Sequence, residues 1–185
     1  MRWDGLFADL EAQAAALASA ERAAEIDEHT RGEVAGLTLV DRLRAAAGAV
    51  IRLRLAGGVS LGGTLMRVGP DWLLVEEDGG RDAVVPLAAV HSVRGLNRYS
   101  AAPGSTGVVE SRLGLRHALR GIARDRSPVR IELGNGSALD ATIDRVGADF
   151  VEAAIHAAGE FRRRPDVRDV EAVALAAVVA VRRRV

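Results

Sequence analysis

Residues 51–73 recur as residues 129–151 at a constant offset of 78, without a gap, and nine of the 23 positions are identical. The identical pairs are Arg52/Arg130, Leu55/Leu133, Gly58/Gly136, Leu61/Leu139, Thr64/Thr142, Arg67/Arg145, Val68/Val146, Gly69/Gly147 and Asp71/Asp149, and Trp72 faces Phe150. After a change of length, Leu87-Ala88-Ala89-Val90 returns as Leu175-Ala176-Ala177-Val178, followed by Val93/Val181 and Arg94/Arg182 at an offset of 88. Upstream, Leu37/Leu115, Arg42/Arg120 and Ala45/Ala123 hold the offset of 78. Biased composition does not readily produce an ordered match in separate blocks. The chain therefore builds one small supersecondary unit twice.

Each copy reads as a helix followed by five short strands. In the first, Val50 to Leu55 alternates apolar and polar residues, Gly57-Gly58 marks a hairpin turn, and Leu61 to Val68 returns. In the second, Asn135-Gly136 occupies that turn. Gly69-Pro70-Asp71 and its partner Gly147-Ala148-Asp149 then break the chain, with both glycines read as turn requirements and both aspartates as acceptors for backbone N–H groups of their own turns. Trp72 to Val75 is a third strand, Asp78-Gly79-Gly80 a turn, Ala83 to Val85 a fourth strand, Pro86 to Ala89 a one-turn helical link, and Val90 to Val93 a fifth strand. The second copy follows with Phe150 to His156, Val170 to Val173 and Leu175 to Val181; its third turn is longer and ends in Arg162-Arg163-Arg164-Pro165. Five such strands suit a small barrel closed on itself, because a lone hairpin leaves its edges exposed.

A helix over 40–47 leads into the first copy and one over 111–124 into the second. Thr30 and Glu33 have the spacing of a capping box, so a helix could run from there to Ala47; alternatively 33–39 is extended and the helix is short. Leu39, Leu43 and Ala46 mark its apolar face in either case. Residues 4–28 read as a further helix, with Trp3, Leu6, Leu10, Leu17, Ala20 and Ala24 in a heptad-like spacing interrupted by Gln13. It suits packing on its own domain or a partner or dimer contact. The expected fold class is mainly β with helices: an N-terminal helical segment (1–32), a first helix-plus-barrel unit (33–99), a linker (100–110) and a second unit (111–185).

Composition narrows the chemistry. The 185 residues are 49% apolar, which argues against disorder, but only six are aromatic, so the cores must be aliphatic. All 25 basic side chains are Arg and they balance 25 acids, which excludes a uniformly basic nucleic-acid-binding domain. The balance hides asymmetry: residues 1–48 carry −4 and residues 100–128 carry +3. With no Cys there is no disulfide, thiolate nucleophile or thiolate metal site. With no Lys there is no Walker-type phosphate loop. The four His residues show no metal-ligand spacing, and Thr64 and Thr142 have no neighbouring base in the sequence. The chain is therefore expected not to be an enzyme, and to need no cofactor or metal. No run is long enough to span a bilayer and no basic-then-apolar leader is present, so the expected location is cytoplasmic.

The helix, bent strand, Gly turn, bent strand, Asp-containing loop and two short final strands resemble the Sm-like (bacterial Hfq-like) barrel over about 37–94 and 115–182; an SH3-like barrel satisfies much of the same pattern. The resemblance implies binding of single-stranded RNA by the loops between the second and third strands. The matching positions are Asp71 and Trp72 in Gly69-Pro70-Asp71-Trp72, and Asp149 and Phe150 in Gly147-Ala148-Asp149-Phe150. The asparagine that follows in RNA-binding members is absent, and Val84-Val85-Pro86 stands where that family carries a Gly-containing signature. The whole chain is also similar to a family of small proteins from bacteria with GC-rich genomes, some labelled Fis-type regulators, although no Fis-like helix-turn-helix reads from it.

Among single residues, Arg112, Arg116, Arg120 and Arg124 recur every four positions and would line one face of a helix, opposite Leu115, Ala118, Leu119 and Ile122. Such a ribbon can bind phosphates through forked N–H groups, or simply be a solvated face with salt bridges. Arg162, Arg163 and Arg164 form a second basic cluster, and Arg182 to Arg184 a third. No aromatic residue is interleaved with them to stack on bases. Trp72 and Phe150 can stack on bases or plug the ends of the barrels. Two functions fit: a non-enzymatic interaction or scaffold module whose partner is a second copy (a homodimer) or another protein, or an RNA- or DNA-binding regulator.

Overall fold

The computed structural model describes residues 34–101, 113–156 and 169–184, with scattered positions between 13 and 32. Compactness divides the chain into Met1–Thr38 and a body, Leu39–Val185. Within the first segment, the described positions of the expected helix over 4–28 (13, 15–17, 19, 21 and 22) are all helical. Positions 32, 34 and 35 are helical too, and a turn follows at Gly36. Neither reading of 33–39 holds as a whole: Val34 and Ala35 are helical, Gly36 turns, 37 and 38 are irregular, and helix resumes at Leu39. Thr30 and Glu33, the Ser100–Gly107 linker beyond Ala101, Arg112 and Arg162 to Arg164 lie outside the described residues.

The body is mainly β. Its elements are helix α1 (Leu39–Ala45), strands β1 (Val50–Leu55), β2 (Ser60–Val68), β3 (Trp72–Glu77), β4 (Arg81–Pro86) and β5 (Val90–Arg94), then helix α2 (Leu115–Asp125) and strands β6 (Pro128–Leu133), β7 (Ala138–Val146), β8 (Phe150–Ile155), β9 (Asp169–Ala174) and β10 (Val178–Arg183). One-turn 3-10 helices at Leu87–Ala89 and Leu175–Ala177 precede the last strand of each copy. Strand alternation decides which side chains go inside: in β1, Ile51, Leu53 and Leu55 are buried while Arg52 and Arg54 face solvent. Both β1–β2 and β6–β7 turns hold three residues, where two were expected, between Leu55 and Val59 and between Leu133 and Ser137. Gly57, Gly58 and Gly136 take the positive φ that these turns demand.

All ten strands form a single antiparallel sheet in the order β5-β1-β2-β3-β4-β10-β6-β7-β8-β9. Neither copy closes on itself through hydrogen bonds, as the repeat had suggested. Instead β4 passes on to β10, with Val84 opposite Val181 and Ala83 opposite Arg182. The edge that each copy would otherwise expose is partly satisfied by the other copy. The two copies bend alike: a register shift between Leu65 and Arg67 in β2 returns between Ile143 and Arg145 in β7.

Each half has its own aliphatic core. Leu43, Ile51, Leu53, Leu65, Leu73 and Val85 form the first, with Val179 and Ala180 of β10 packed into it. Leu119, Val129, Ile131, Ile143 and Val151 form the second, which takes Trp72 and Val84 from the first half. Helix α1 buries Leu43, and Ala46 just past its end is buried too, but Leu39 is exposed and does not belong to the apolar face. Helix α2 begins at Leu115, four residues later than the expected start, and buries Leu115 and Leu119.

Candidate functional site

The residues singled out by the loop pattern meet the second helix at the joint between the halves. Asp71 does not serve its own turn. Its Oδ1 accepts the backbone N–H of Leu115 at 2.7 Å, at the first turn of α2. The N-cap residue there is Gly114, which has no side chain to offer, so an aspartate 44 positions away supplies the missing acceptor. Trp72 follows it in. Its indole is buried, 7% exposed, and Nε1 donates to the carbonyl of Leu113 at 2.7 Å. It is therefore closed to base stacking and plugs the end of the joint.

The second copy uses the matching residues differently. Asp149 is exposed at its side chain, while its carbonyl accepts Leu175 N–H at 2.7 Å, as that of Asp71 accepts Leu87 N–H at 2.9 Å. Phe150 is 36% exposed. In both loops the aromatic ring lies over the glycine three residues before it. A Cβ on Gly69 would sit 2.1 Å from Trp72 Nε1, and one on Gly147 would sit 2.4 Å from Phe150 Cε1. Neither glycine has positive φ, so close approach of the ring, not turn geometry, is what demands glycine.

A groove of about 670 Å³ runs beneath α2, between it and β3, β4 and β10. Its floor and walls are Trp72, Leu74, Val84, Ala118, Ile122 and Val181, and Arg67, Asp82, Asp125 and Arg183 provide charge around it. On the far side of this helix stand Arg116, Arg120 and Arg124, all exposed. Of these only Arg124 approaches an acid among the described residues, Asp125, at 4.0 Å. The helical ribbon is thus real over three of its four members, the fourth, Arg112, lying outside the described residues.

Matching pairs of arginines on the two halves have opposite surroundings. In the second half Arg182 of β10 lies directly opposite Arg130 of β6. Acids hold both: Arg182 pairs with Glu132 at 3.5 Å and, across the joint, with Glu77 of β3 at 3.6 Å, while Arg130 pairs with Asp140 at 3.2 Å. Asp140 also receives Arg184 at 2.9 Å, so the terminal basic cluster is partly neutralised. In the first half the equivalent arginines, Arg94 and Arg52, also stand opposite each other. Gly62 replaces Asp140 and Arg54 replaces Glu132. An open hollow of about 290 Å³ there is lined by Arg52, Arg54 and Arg94 with Ser60 and Ser92, and among the described residues no acid lines it. The repeat contained this signal, because it aligns Arg54 with Glu132 and Gly62 with Asp140.

One pair escaped sequence reasoning altogether. Thr142 Oγ1 lies 3.1 Å from His156 Nε2, and both side chains are buried. Thr142 therefore does have a base beside it, brought there by the β7–β8 hairpin. Neither residue lines any of the hollows described above. Among the described residues no group of three potential ligands could hold a metal ion, and no helix is long and apolar enough to cross a membrane.

No protein-family model matches the chain, and no curated protein matches it.

Proposed function

We propose that each half of the sheet is a barrel-like unit of the Sm-like or SH3-like kind, and that the chain is a non-enzymatic, cytoplasmic interaction or scaffold module working through its sheet edges. The observation that carries this reading is that, among the described residues, the sheet ends on two strands with one neighbour each, β5 and β9. A strand in that position offers a row of unpaired N–H and C=O groups on which a partner can add. The strand order supports the barrel-like assignment, since β5-β1-β2-β3-β4 is repeated as β10-β6-β7-β8-β9. No cofactor enters this reading.

A second reading, an RNA- or DNA-binding regulator, is favoured by the open guanidinium groups of Arg116, Arg120 and Arg124. The sequence adds the basic cluster Arg162, Arg163 and Arg164, outside the described residues, and Phe150 beside Asp149 offers an exposed ring for a base. Fluorescence anisotropy against single-stranded RNA and duplex DNA at about 50 and 200 mM salt separates the two, because phosphate contacts weaken steeply with salt. The interaction module shows no micromolar binding at low salt. Salt-sensitive binding that is lost on changing Arg116, Arg120 and Arg124 to Glu would overturn it in favour of the second reading.

A further inference from the structure

We infer that the hollow over β5, β1 and β2 binds a small phosphate-bearing molecule, held by Arg52, Arg54 and Arg94 with the hydroxyls of Ser60 and Ser92. This goes beyond the edge contacts proposed above and does not depend on them. Strand register sets these residues on one face of the sheet in two rows. Arg52 of β1 lies between Arg94 of β5 and Gly62 of β2, and Arg54 lies between Ser92 and Ser60. All five of the arginines and serines are exposed.

The duplication supplies an internal control. In the second half the same two rows read Arg182, Arg130, Asp140 and Ala180, Glu132, Ala138. Two acids there balance two arginines. In the first half both acids are gone, Arg54 standing for Glu132 and Gly62 for Asp140, and serines stand in place of both alanines. Each difference removes a carboxylate or adds a donor. Two arginines directly opposite each other across a strand pair destabilise it. In the second half Asp140, Glu132 and Glu77 relieve that repulsion. In the first half the same pair, Arg52 and Arg94, is joined by a third guanidinium instead.

A bound anion relieves it in the same way. Guanidinium forks match the oxygens of a phosphate, and serine hydroxyls rotate to donate to those left over. At about 290 Å³ the hollow lies at the small end of ligand pockets. Among the described residues no aromatic ring lines it, so nothing there stacks on a base, which favours a small molecule over a nucleic-acid strand. Arg182 donates to the Ser60 carbonyl at 3.4 Å at the rim, but Glu77 and Glu132 already hold its charge.

Gly62→Asp tests this without removing an arginine, by giving Arg52 the acid that Arg130 has in Asp140. A Cβ on Gly62 would meet only Arg52 Cγ at 3.5 Å and the Ile51 carbonyl oxygen at 3.7 Å, so the side chain fits. Isothermal titration calorimetry of the full chain with inorganic pyrophosphate at about 50 mM salt should find one site with a Kd below about 1 mM. Gly62→Asp or Arg54→Glu should weaken it at least about tenfold, with circular dichroism checking that each variant stays folded. No binding up to about 10 mM pyrophosphate, or binding indifferent to both substitutions, overturns the inference. Succinate bound as tightly as pyrophosphate overturns it too, since the arginines then take carboxylates as readily. Single-stranded RNA lost on the same substitutions, with pyrophosphate unbound, would assign the hollow to a nucleic-acid backbone instead.

Discussion

Asp71 Oδ1 accepts the amide hydrogen of Leu115 at 2.7 Å, so a loop of the first half of the sheet caps the helix that opens the second. The two halves are therefore tied through a helix terminus as well as through the β4–β10 pairing. Losing the acceptor leaves an orphan N–H at the start of α2. Asp71→Ala should lower stability by about 1 kcal/mol, and Asp71→Asn, which keeps an oxygen there, by less. Urea denaturation monitored by circular dichroism measures both. Asp149→Ala at low protein concentration should change stability by under about 0.5 kcal/mol, because among the described residues its carboxylate caps no helix.

Trp72 and Phe150 are the same position of the repeat in opposite circumstances. Trp72→Phe removes the indole donor and leaves the Leu113 carbonyl without it, which should cost about 1 kcal/mol. Trp72→Ala opens a cavity at the joint as well and should cost about 3–5 kcal/mol. Phe150→Ala should cost well under half of that, since its ring is already partly in solvent. Thermal and urea unfolding of the three variants would give this ranking; equal losses at the two positions would refute it.

The glycines under these rings make a related prediction. Gly69→Ala drives a methyl group into an indole held in place by its bond to the Leu113 carbonyl, and should destabilise by about 1–3 kcal/mol. Gly147→Ala meets a ring that can swing outward into solvent, so the loss should be smaller, and Phe150→Ala in the same chain should erase most of it. A double-mutant cycle in urea reads this coupling.

Arg182 joins Glu132 of its own half to Glu77 of the other. The guanidinium is about a quarter exposed, so its worth is well short of a fully buried pair. Arg182→Met should destabilise by about 1–2 kcal/mol, partly because two largely buried carboxylates lose their cation. Combining it with Glu77→Gln should recover part of the loss; strictly additive losses would show that the two residues do not act together.

The strands were legible because a period of two, Gly turns and a second copy of the same pattern all agree. Arg52 and Arg54 alternate with Ile51, Leu53 and Leu55 in the sequence as they do across the sheet. The amphipathic face of α2 was equally readable from Leu115 and Leu119 set against Arg116, Arg120 and Arg124. What escaped was everything that links residues far apart in the chain. Asp71 looked like a turn aspartate because its partner is a backbone N–H, and a backbone N–H leaves no mark in a sequence. Thr142 and His156 looked isolated because only the hairpin brings them within hydrogen-bonding reach. Gly69 looked like a turn glycine because the ring lying on it can be placed only in three dimensions.

By itself, the sequence determined that a helix and five short strands are made twice, which side of each strand is apolar, and that the cores are aliphatic. Those are consequences of local periodicity and composition. The tertiary structure alone decided that the copies share one sheet, that β4 pairs with β10 instead of closing on β5, and that Asp71, Trp72 and Arg182 serve the joint while Asp149, Phe150 and Arg94 do not. The physical reason is that strand edges bond through backbone groups common to every residue. Their pairing depends on which surfaces meet, and two nearly equal copies acquire different roles only when one is placed against the other.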